Sequence, residues 1–185
     1  MAYVSTTKLI KPFRDYNESN VVNLFAFDGT TNKGTLVKVS TGWSNTDANG
    51  GLSGVANPHA ATFNGTVSNY YVLTPRVTEA GTGDSSMLGI ALNDVRLTDD
   101  NGEYLIYKPT RAVELGAVPS GQAVPVLTKG LVLYKAAAVS AGDKAFANGN
   151  GTISGAATVP AGRTQIGKFL GATDTDGFAL LKLEL

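Results

Sequence analysis

The clearest pattern in the chain is an alternation of apolar and charged residues at its C-terminus. In residues 181–185 leucines alternate with Lys182 and Glu184, which is the period of two expected of a strand with one buried face. The dipeptide Asp176-Gly177 precedes this strand and favours a tight turn. Together with residues 164–170, the C-terminus is therefore predicted to form a closing β-hairpin.

Short strands of this kind recur along the chain, and helix signals are scarce. Turn residues rich in Gly, Asn and Asp separate the strands, a spacing typical of β-sandwiches and barrels. Pro75 confines its strand to a sheet edge or divides it in two, and residues 128–130 predict a hairpin loop. The further predicted strands are residues 24–27, 35–39, 70–78, 88–92, 104–107, 123–127, 131–134, 144–147 and 152–154. The predicted fold is all-β, a small barrel or sandwich.

Two segments depart from this pattern. Residues 1–23 show little periodicity and are predicted to form an extended N-terminal arm. Residues 40–69 are rich in Gly, Asn, Ser, Thr and Ala, and a loop of that length is uncommon unless it is functional or ordered by a partner. The predicted organisation is thus an arm followed by one β domain, residues 24–185, with a long loop inserted at 40–69.

The chain also contains a short internal echo. Residues 88–92 (LGIAL) and 166–170 (IGKFL) share the form apolar-Gly-x-x-Leu, and each follows a turn-rich stretch. Repeats are the sequence signature of duplicated architectures. Two matches of this length leave an internal duplication open.

The composition narrows the classes of function. Lys+Arg and Asp+Glu are both 15, so the chain lacks the positive field that attracts nucleic acid or anionic membranes. Charged residues make up 16%, against about 25% in an average domain, and such a weakly charged surface suits contact with other protein. Without cysteine there is no disulfide or thiolate chemistry. No apolar run predicts a membrane span or a signal peptide.

Candidate sites for catalysis or metal binding are weak. His59 is the single histidine and lies in a Gly/Asn-rich loop, so it predicts a solvent or interface residue. Residues 174–177 (DTDG) resemble the start of a calcium loop without its later ligands. Residues 81–86 lack the lysine of a phosphate-binding loop. A turn or a plain loop is predicted for both segments.

Four carboxylates cluster in the sequence around the turn at Asn101-Gly102. Paired carboxylates can perform acid–base catalysis, but their position beside a turn predicts a solvated hairpin end. The four are Asp94, Asp99, Asp100 and Glu103. No enzyme activity, cofactor or metal is therefore predicted.

The order of motifs in the second half resembles a known family. These motifs are residues 121–134 (GQAVPVLTKGLVLY), 141–146 (AGDKAF), 164–170 (TQIGKFL) and the alternating last strand, with residues 87–95 (MLGIALNDV) upstream. They resemble the small β proteins, called decoration or cement proteins, on the heads of tailed bacteriophages. The resemblance covers residues 85–185 well and 20–40 loosely.

This resemblance implies a β-barrel or β-tulip domain that binds the outside of a capsid and stabilises it. Its partners would be the major capsid protein and further copies of itself, with a trimer favoured. The protein would be made in the host cytoplasm and then reside on the virion exterior. Nucleic acid and membranes are not expected partners.

The predicted contacts with neighbouring subunits come from the arm and the long loop. Extended segments add contact area without enlarging the core, although ordering them costs entropy. The predicted interface residues are Lys8, Lys11, Phe13, Arg14, Tyr16 and Trp43. For the arm, disorder and nucleic-acid contact remain open alternatives. For the whole chain the alternatives are a tail or baseplate component, or a carbohydrate-binding sandwich using Trp43, Tyr70 and Tyr71.

Overall fold

A computed structural model describes residues 9–13, 16–27, 29–41 and 75–185. This part of the chain is built mainly of strands, which confirms the all-β prediction. The strands are β1 Ile10–Pro12, β2 Val21–Phe27, β3 Leu36–Thr41, β4 Arg76–Glu79, β5 Met87–Ala91, β6 Asp94–Arg96, β7 Ala117–Pro119, β8 Ala123–Leu127, β9 Lys129–Lys135, β10 Lys144–Ala147, β11 Ile153–Ala156, β12 Gln165–Phe169 and β13 Phe178–Glu184. The helices are α1, Pro109–Leu115, and two 3-10 helices, Glu18–Asn20 and Leu105–Tyr107. No helix among these residues is long and apolar enough to cross a membrane.

Five strands form a closed barrel in the order β2-β4-β3-β5-β8. The pairing of β2 with β4 is parallel, with Ala26 opposite Arg76 and Phe27 opposite Val77, and the other pairings are antiparallel. Small and β-branched side chains fit the narrow interior of such a barrel. One buried cluster consists of Phe27, Val37, Val77, Ala91, Val95, Val124 and Val126.

The N-terminal strand β1 and the five strands β9 to β13 form a six-stranded antiparallel sheet in the order β1-β9-β13-β12-β10-β11. The predicted C-terminal hairpin is confirmed, since β12 pairs with β13 and Gly167 lies opposite Leu183. A large core cluster joins barrel residues such as Leu36 and Ile90 to sheet residues such as Phe169. Barrel and sheet therefore share this core.

The predicted hairpin across residues 128–130 is wrong. β8 belongs to the barrel and β9 to the six-stranded sheet, and Thr128 is the residue between them. The N–H and the hydroxyl of Thr128 both donate to the carbonyl oxygen of Asn20, at 2.9 and 3.0 Å. Both donors of Thr128 are thus bonded to a segment outside the predicted loop. The chain runs from β8 in the barrel directly into β9 in the six-stranded sheet.

The predicted arm and long loop are described in part. Residues 10–12 form β1 and pair with β9, and residues 21–23 belong to β2. Ser40 and Thr41 belong to β3, whereas residues 42–69 lie outside the described residues. The division into arm, domain and inserted loop stays a prediction.

A buried tyrosine links two strands that are not neighbours in the sheet. The hydroxyl of Tyr134, on β9, accepts the N–H of Ile153, on β11, at 3.0 Å. The Tyr134 side chain is almost fully buried, and burial raises the pKa of its hydroxyl to about 12. This bond satisfies a backbone donor that has no ladder partner on that side of β11.

Alkaline pH is expected to weaken the fold through Tyr134. Its folded pKa of about 12 lies above the ordinary value of about 10, so the folded state holds the proton more tightly. The contribution is present below pH ~10 and is lost as the pH rises toward 12, by at most ~2–3 kcal/mol. Chemical denaturation at pH 8, 10 and 11.5 measures this loss.

The matched variant is Tyr134→Phe. It should be less stable at pH 8 by ~1–3 kcal/mol, because the N–H of Ile153 loses its partner. Its further loss of stability between pH 8 and 11.5 should be smaller than that of the wild type. Equal alkaline losses in both proteins would show that Tyr134 does not govern the effect.

Candidate functional site

Exposed apolar side chains are concentrated in one part of the described chain. Nine large apolar residues are exposed there, and five of them lie between residues 97 and 113. These five are Leu97, Tyr104, Ile106, Tyr107 and Val113, called here the apolar surface. Tyr107 and Val113 are each 81% exposed. Contiguous exposed apolar patches mark interaction sites, and the proximity of these five residues in the chain makes this segment the candidate.

The apolar surface belongs to a small module, defined as residues 94–119. Its first and last strands, β6 and β7, pair in parallel, with Val95 opposite Val118. Between them the chain forms the 3-10 helix Leu105–Tyr107 and helix α1. The module follows β5 and precedes β8, so it projects from the connection between two adjacent barrel strands.

A miniature core explains why some module side chains are exposed. Leu105, Ala112 and Ala117 are buried together, with Leu115 packed against them. The prediction of a strand over residues 104–107 is wrong. Since Leu105 alone turns into this core, the 3-10 helix leaves the flanking side chains of Tyr104 and Ile106 outside.

Helix α1 is short and well bounded. Pro109 occupies its first turn, where a missing N–H costs nothing. Gly116 ends the helix with a left-handed φ of +61°, and its N–H returns to the carbonyl oxygens of Ala112 and Val113. The helix buries Ala112 and leaves Val113 exposed.

A carboxylate shapes the turn that precedes the 3-10 helix. Oδ1 of Asp99 accepts the N–H of Asn101 at 2.8 Å and that of Glu103 at 2.9 Å. These bonds, the one from Glu103 foremost, hold the pKa of Asp99 below its usual value. The prediction of a solvated hairpin end is wrong for Asp99 and Asp94. Both side chains are buried, because their carboxylate oxygens accept hydrogen bonds from backbone N–H groups.

The module is fixed to the barrel at its base. Oδ1 of Asp94 accepts the backbone N–H of Lys33 at 2.6 Å, and Oδ2 lies 3.2 Å from the guanidinium of Arg96. The backbones of Thr31 and Val95 exchange two hydrogen bonds, at 3.0 and 2.8 Å. Since these contacts join the β2–β3 loop to β6, the module is presented in a defined orientation.

The charges around the apolar surface are largely paired within the module. Arg111 contacts Glu114 at 2.9 Å and Asp100 at 3.6 Å, and Lys108 pairs with Glu103. These exposed pairs contribute little to stability. They do reduce the local field, so the module offers apolar contact more than charge.

Two grooves border the module. The larger, about 650 Å³, includes Glu79, Thr31, Asp99 and Asp100 in its lining. Glu79 accepts the Thr31 hydroxyl at 3.2 Å, and Asp99 and Asp100 have the partners given above. Among the described residues no group of His, Asp and Glu side chains could hold a metal ion.

The segment that resembles the start of a calcium loop, residues 174–177, is a structural turn. Oδ1 of Asp174 accepts the N–H groups of Asp176 and Phe178 at 3.0 and 2.7 Å. This is the bonding of an Asx turn before β13. The turn predicted for residues 174–177 is confirmed.

The predicted interface residues of the arm lie elsewhere in the structure. Lys11 is exposed on β1, with Nζ 4.0 Å from the ring centroid of Phe178, and Phe13 is 43% exposed. Tyr16 is half-buried against the large core, and this burial raises its pKa. The other three predicted residues, Lys8, Arg14 and Trp43, lie outside the described residues, as does His59.

The apolar surface was not predicted from the sequence. The sequence feature that could have indicated it is the run Tyr104-Leu105-Ile106-Tyr107, which lacks the alternation of apolar and polar residues of a half-buried strand. Followed by Pro109 and, at the end of a helical stretch, Gly116, this run favours a helical module. Which of its apolar side chains remain exposed depends on the tertiary packing of Leu105.

The fold and site define an all-β structural domain, a barrel joined to a sheet, with an apolar surface carried on a small module that is anchored to the barrel. Residues 13–184 match the family of structural cement proteins (E217 gp24/Pam3 gp6), and the chain belongs to that family. It is a structural protein of the bacteriophage virion that stabilises the capsid. The comparison with curated proteins gave no match.

Proposed function

We propose that this protein binds the outer surface of a tailed-phage shell through the apolar surface of its module, without catalysing a reaction. The observation that carries this proposal is the concentration of exposed apolar side chains on residues 97–113. The family supports association with the capsid shell. The major capsid protein is the proposed partner.

The chemistry of the module favours an apolar protein surface as the partner over a charged partner such as nucleic acid or an anionic membrane. Interface cores are depleted in charge and enriched in aromatic residues. Tyr104 and Tyr107 provide such aromatic groups, and the nearby charges of Arg111 and Lys108 are paired within the module. The anchoring of the module to the barrel also lowers the entropy lost on binding.

Shell stabilisation follows from binding that is specific for the assembled lattice. A protein that binds only correctly spaced subunits opposes their separation by mass action. Repetition of the contact over many lattice sites multiplies a modest affinity through effective concentration. The family's role in the capsid therefore requires no chemical step.

A second contact is proposed at the N-terminal end of the sheet. β1 is the last strand at its end of the six-stranded sheet, it carries the exposed Lys11, and the exposed Phe13 directly follows the strand. In this proposal these residues touch a neighbouring subunit, and Tyr16 positions the segment by packing on the core. The trimer implied by the family resemblance is part of the same proposal, and light scattering tests it.

The apolar surface can be tested with undecorated shells. The variant Ile106→Ser/Tyr107→Ser/Val113→Ser should bind about a hundredfold more weakly, since each truncation removes ~1 kcal/mol of apolar burial. Cosedimentation gives the affinity, and electron microscopy shows whether density lies at regular sites on the outer face. The melting temperature should change little, because all three side chains are exposed.

The control variant carries Leu24→Ser and Leu170→Ser. These side chains are 48% and 46% exposed, and both lie outside the module. The control should bind shells like the wild type. If the module variant binds with wild-type affinity, or if the density lies inside the shell, the proposal is wrong.

A further inference from the structure

The two halves of the chain arrange their strands in the same order. Taken in chain order, the first half supplies β2, β3, β4, β5 and β8, and the second supplies β9, β10, β11, β12 and β13. In space the first set is ordered β2-β8-β5-β3-β4 and the second β9-β13-β12-β10-β11. Each strand of one set therefore has the same neighbours as its counterpart, with two exceptions: the barrel closes between β2 and β4, and β9 pairs with β1 on its other side.

The register of β3 with β5 matches that of β10 with β12 residue by residue. In both halves two consecutive pairs are followed by a shift of one residue at the same step. The pairs of β3 with β5 are Leu36↔Ile90, Val37↔Gly89 and Lys38↔Met87, and those of β10 with β12 are Lys144↔Lys168, Ala145↔Gly167 and Phe146↔Gln165. Bulges are specific features of a fold, so a shared position favours common origin.

Hydrogen bonds outside the ladders repeat in the same places. In each half the N–H of a glycine with φ near +97° donates to the carbonyl oxygen of the last residue of β5 or β12. The N–H of that last residue donates back to the carbonyl oxygen of the residue after the glycine. The first half has Gly34 to Ala91 at 2.8 Å and Ala91 to Thr35 at 2.9 Å, and the second has Gly142 to Phe169 and Phe169 to Asp143, both at 2.8 Å. The alignment is the one given by the sequence echo of residues 88–92 and 166–170.

The two glycines within the echo have the same surroundings. A Cβ at Gly89 would overlap the carbonyl oxygen of Leu127, and a Cβ at Gly167 would overlap that of Lys182. Leu127 and Lys182 occupy matching positions on β8 and β13, opposite Ile90 and Lys168. The glycine of the sequence echo is therefore needed in both halves for the same reason: β5 approaches β8, and β12 approaches β13, too closely for a Cβ.

From these matches we infer that the chain is an internal duplication of a five-stranded unit, residues 21–127 and 129–184, with residues 96–118 inserted into the first copy as its shell-binding element. The assignment of shell binding to the insertion rests on the proposed function. The duplication itself rests on the strand order, register and hydrogen bonds.

The first and last residues of the insertion are set by the backbone hydrogen bonds nearest to it that have a counterpart in the second half. The N–H of Val95 donates to Thr31 at 2.8 Å, as that of Thr173 donates to Val139 at 3.2 Å. Pro119 accepts from Gln122, as Asp174 accepts from Gly177, both at 3.1 Å. Thr173 and Asp174 are consecutive, whereas Val95 and Pro119 are separated by residues 96–118.

The ends of the insertion lie side by side, as a removable element requires. Val95 pairs with Val118 and Arg96 with Pro119 in the parallel β6–β7 ladder. With neighbouring strands ~4.8 Å apart, the Cα atoms of Val95 and Pro119 are roughly 6 Å apart, which one intervening residue can span. The insertion also has its own core, centred on Leu105.

Two variants test the inference. In the first, one glycine replaces residues 96–118, so that the connection approaches the length of its counterpart in the second copy. In the second variant, Leu105→Ser disrupts the module core and leaves the chain otherwise intact. Circular dichroism, denaturant unfolding and shell cosedimentation are measured for both and for the wild type.

We expect both variants to keep the β-type spectrum and one cooperative unfolding transition, while shell binding falls by about a hundredfold or more. If neither variant folds cooperatively, the module is integral to the barrel, and the duplication with an insertion is wrong. If both fold and bind shells like the wild type, the duplication stands and the shell-binding assignment is wrong. The unfolding result therefore judges the insertion separately from the proposed function.

Discussion

Substituting alanine for Gly89 or for Gly167 is expected to destabilise the folded protein by about 3 kcal/mol in each case. The added Cβ would overlap a backbone carbonyl oxygen of the neighbouring strand, on Leu127 or on Lys182. A flexible side chain could move away, but a paired strand cannot do so without losing ladder hydrogen bonds. Guanidinium denaturation of each variant gives the change in the free energy of unfolding.

Gly171 provides the control for these substitutions. A Cβ at Gly171 would meet nothing within 4 Å, and its φ lies outside the left-handed range. Gly171→Ala should therefore be neutral or stabilising by a few tenths of a kcal/mol. Wild-type stability of Gly89→Ala or Gly167→Ala would contradict the close strand approach on which their equivalence depends.

Replacing Phe169 with alanine is expected to cost ~3–5 kcal/mol, the largest loss that we predict for a side chain of the core. The ring is completely buried on β12 and belongs to the cluster shared by barrel and sheet. A Cβ at Gly155 would lie 2.8 Å from this ring, so the glycine provides the space that the ring fills. Denaturant unfolding measures the loss.

The neighbouring residue supplies the comparison. Leu170 is 46% exposed, and Leu170→Ala should cost under ~1 kcal/mol. Phe169→Leu should fall between the two, because leucine refills part of the cavity. Similar costs for Phe169→Ala and Leu170→Ala would mean that the ring is not the packed element described here.

Local patterns predicted the strands well. Residues 123–127 and 144–147 form β8 and β10 with the predicted limits, and turn residues precede both segments. The partners of these strands could not be predicted in the same way. Gly130 was expected in a turn, but it lies within β9, because Asn20, distant in sequence, captures both donors of Thr128.

The candidate site was less predictable because exposure is a property of the packed structure. A run such as Tyr104–Tyr107 fits a buried strand as well as an exposed helical turn. Only the burial of Leu105 against Ala112 and Ala117 determines which side chains remain outside. Tyr16 was predicted as an interface residue, and the structure shows its side chain partly buried against the chain's own core, so its contact with a neighbouring subunit stays a prediction.

The pairing of charges within the module affects how strongly its contacts depend on the ionic strength of the surroundings. Attraction between exposed unpaired charges weakens as dissolved ions screen them. Because Arg111 and Lys108 are already neutralised by Asp100, Glu114 and Glu103, little of the module's adhesion would depend on such attraction. If the module binds the shell as proposed, the affinity of this contact should therefore change little with ionic strength.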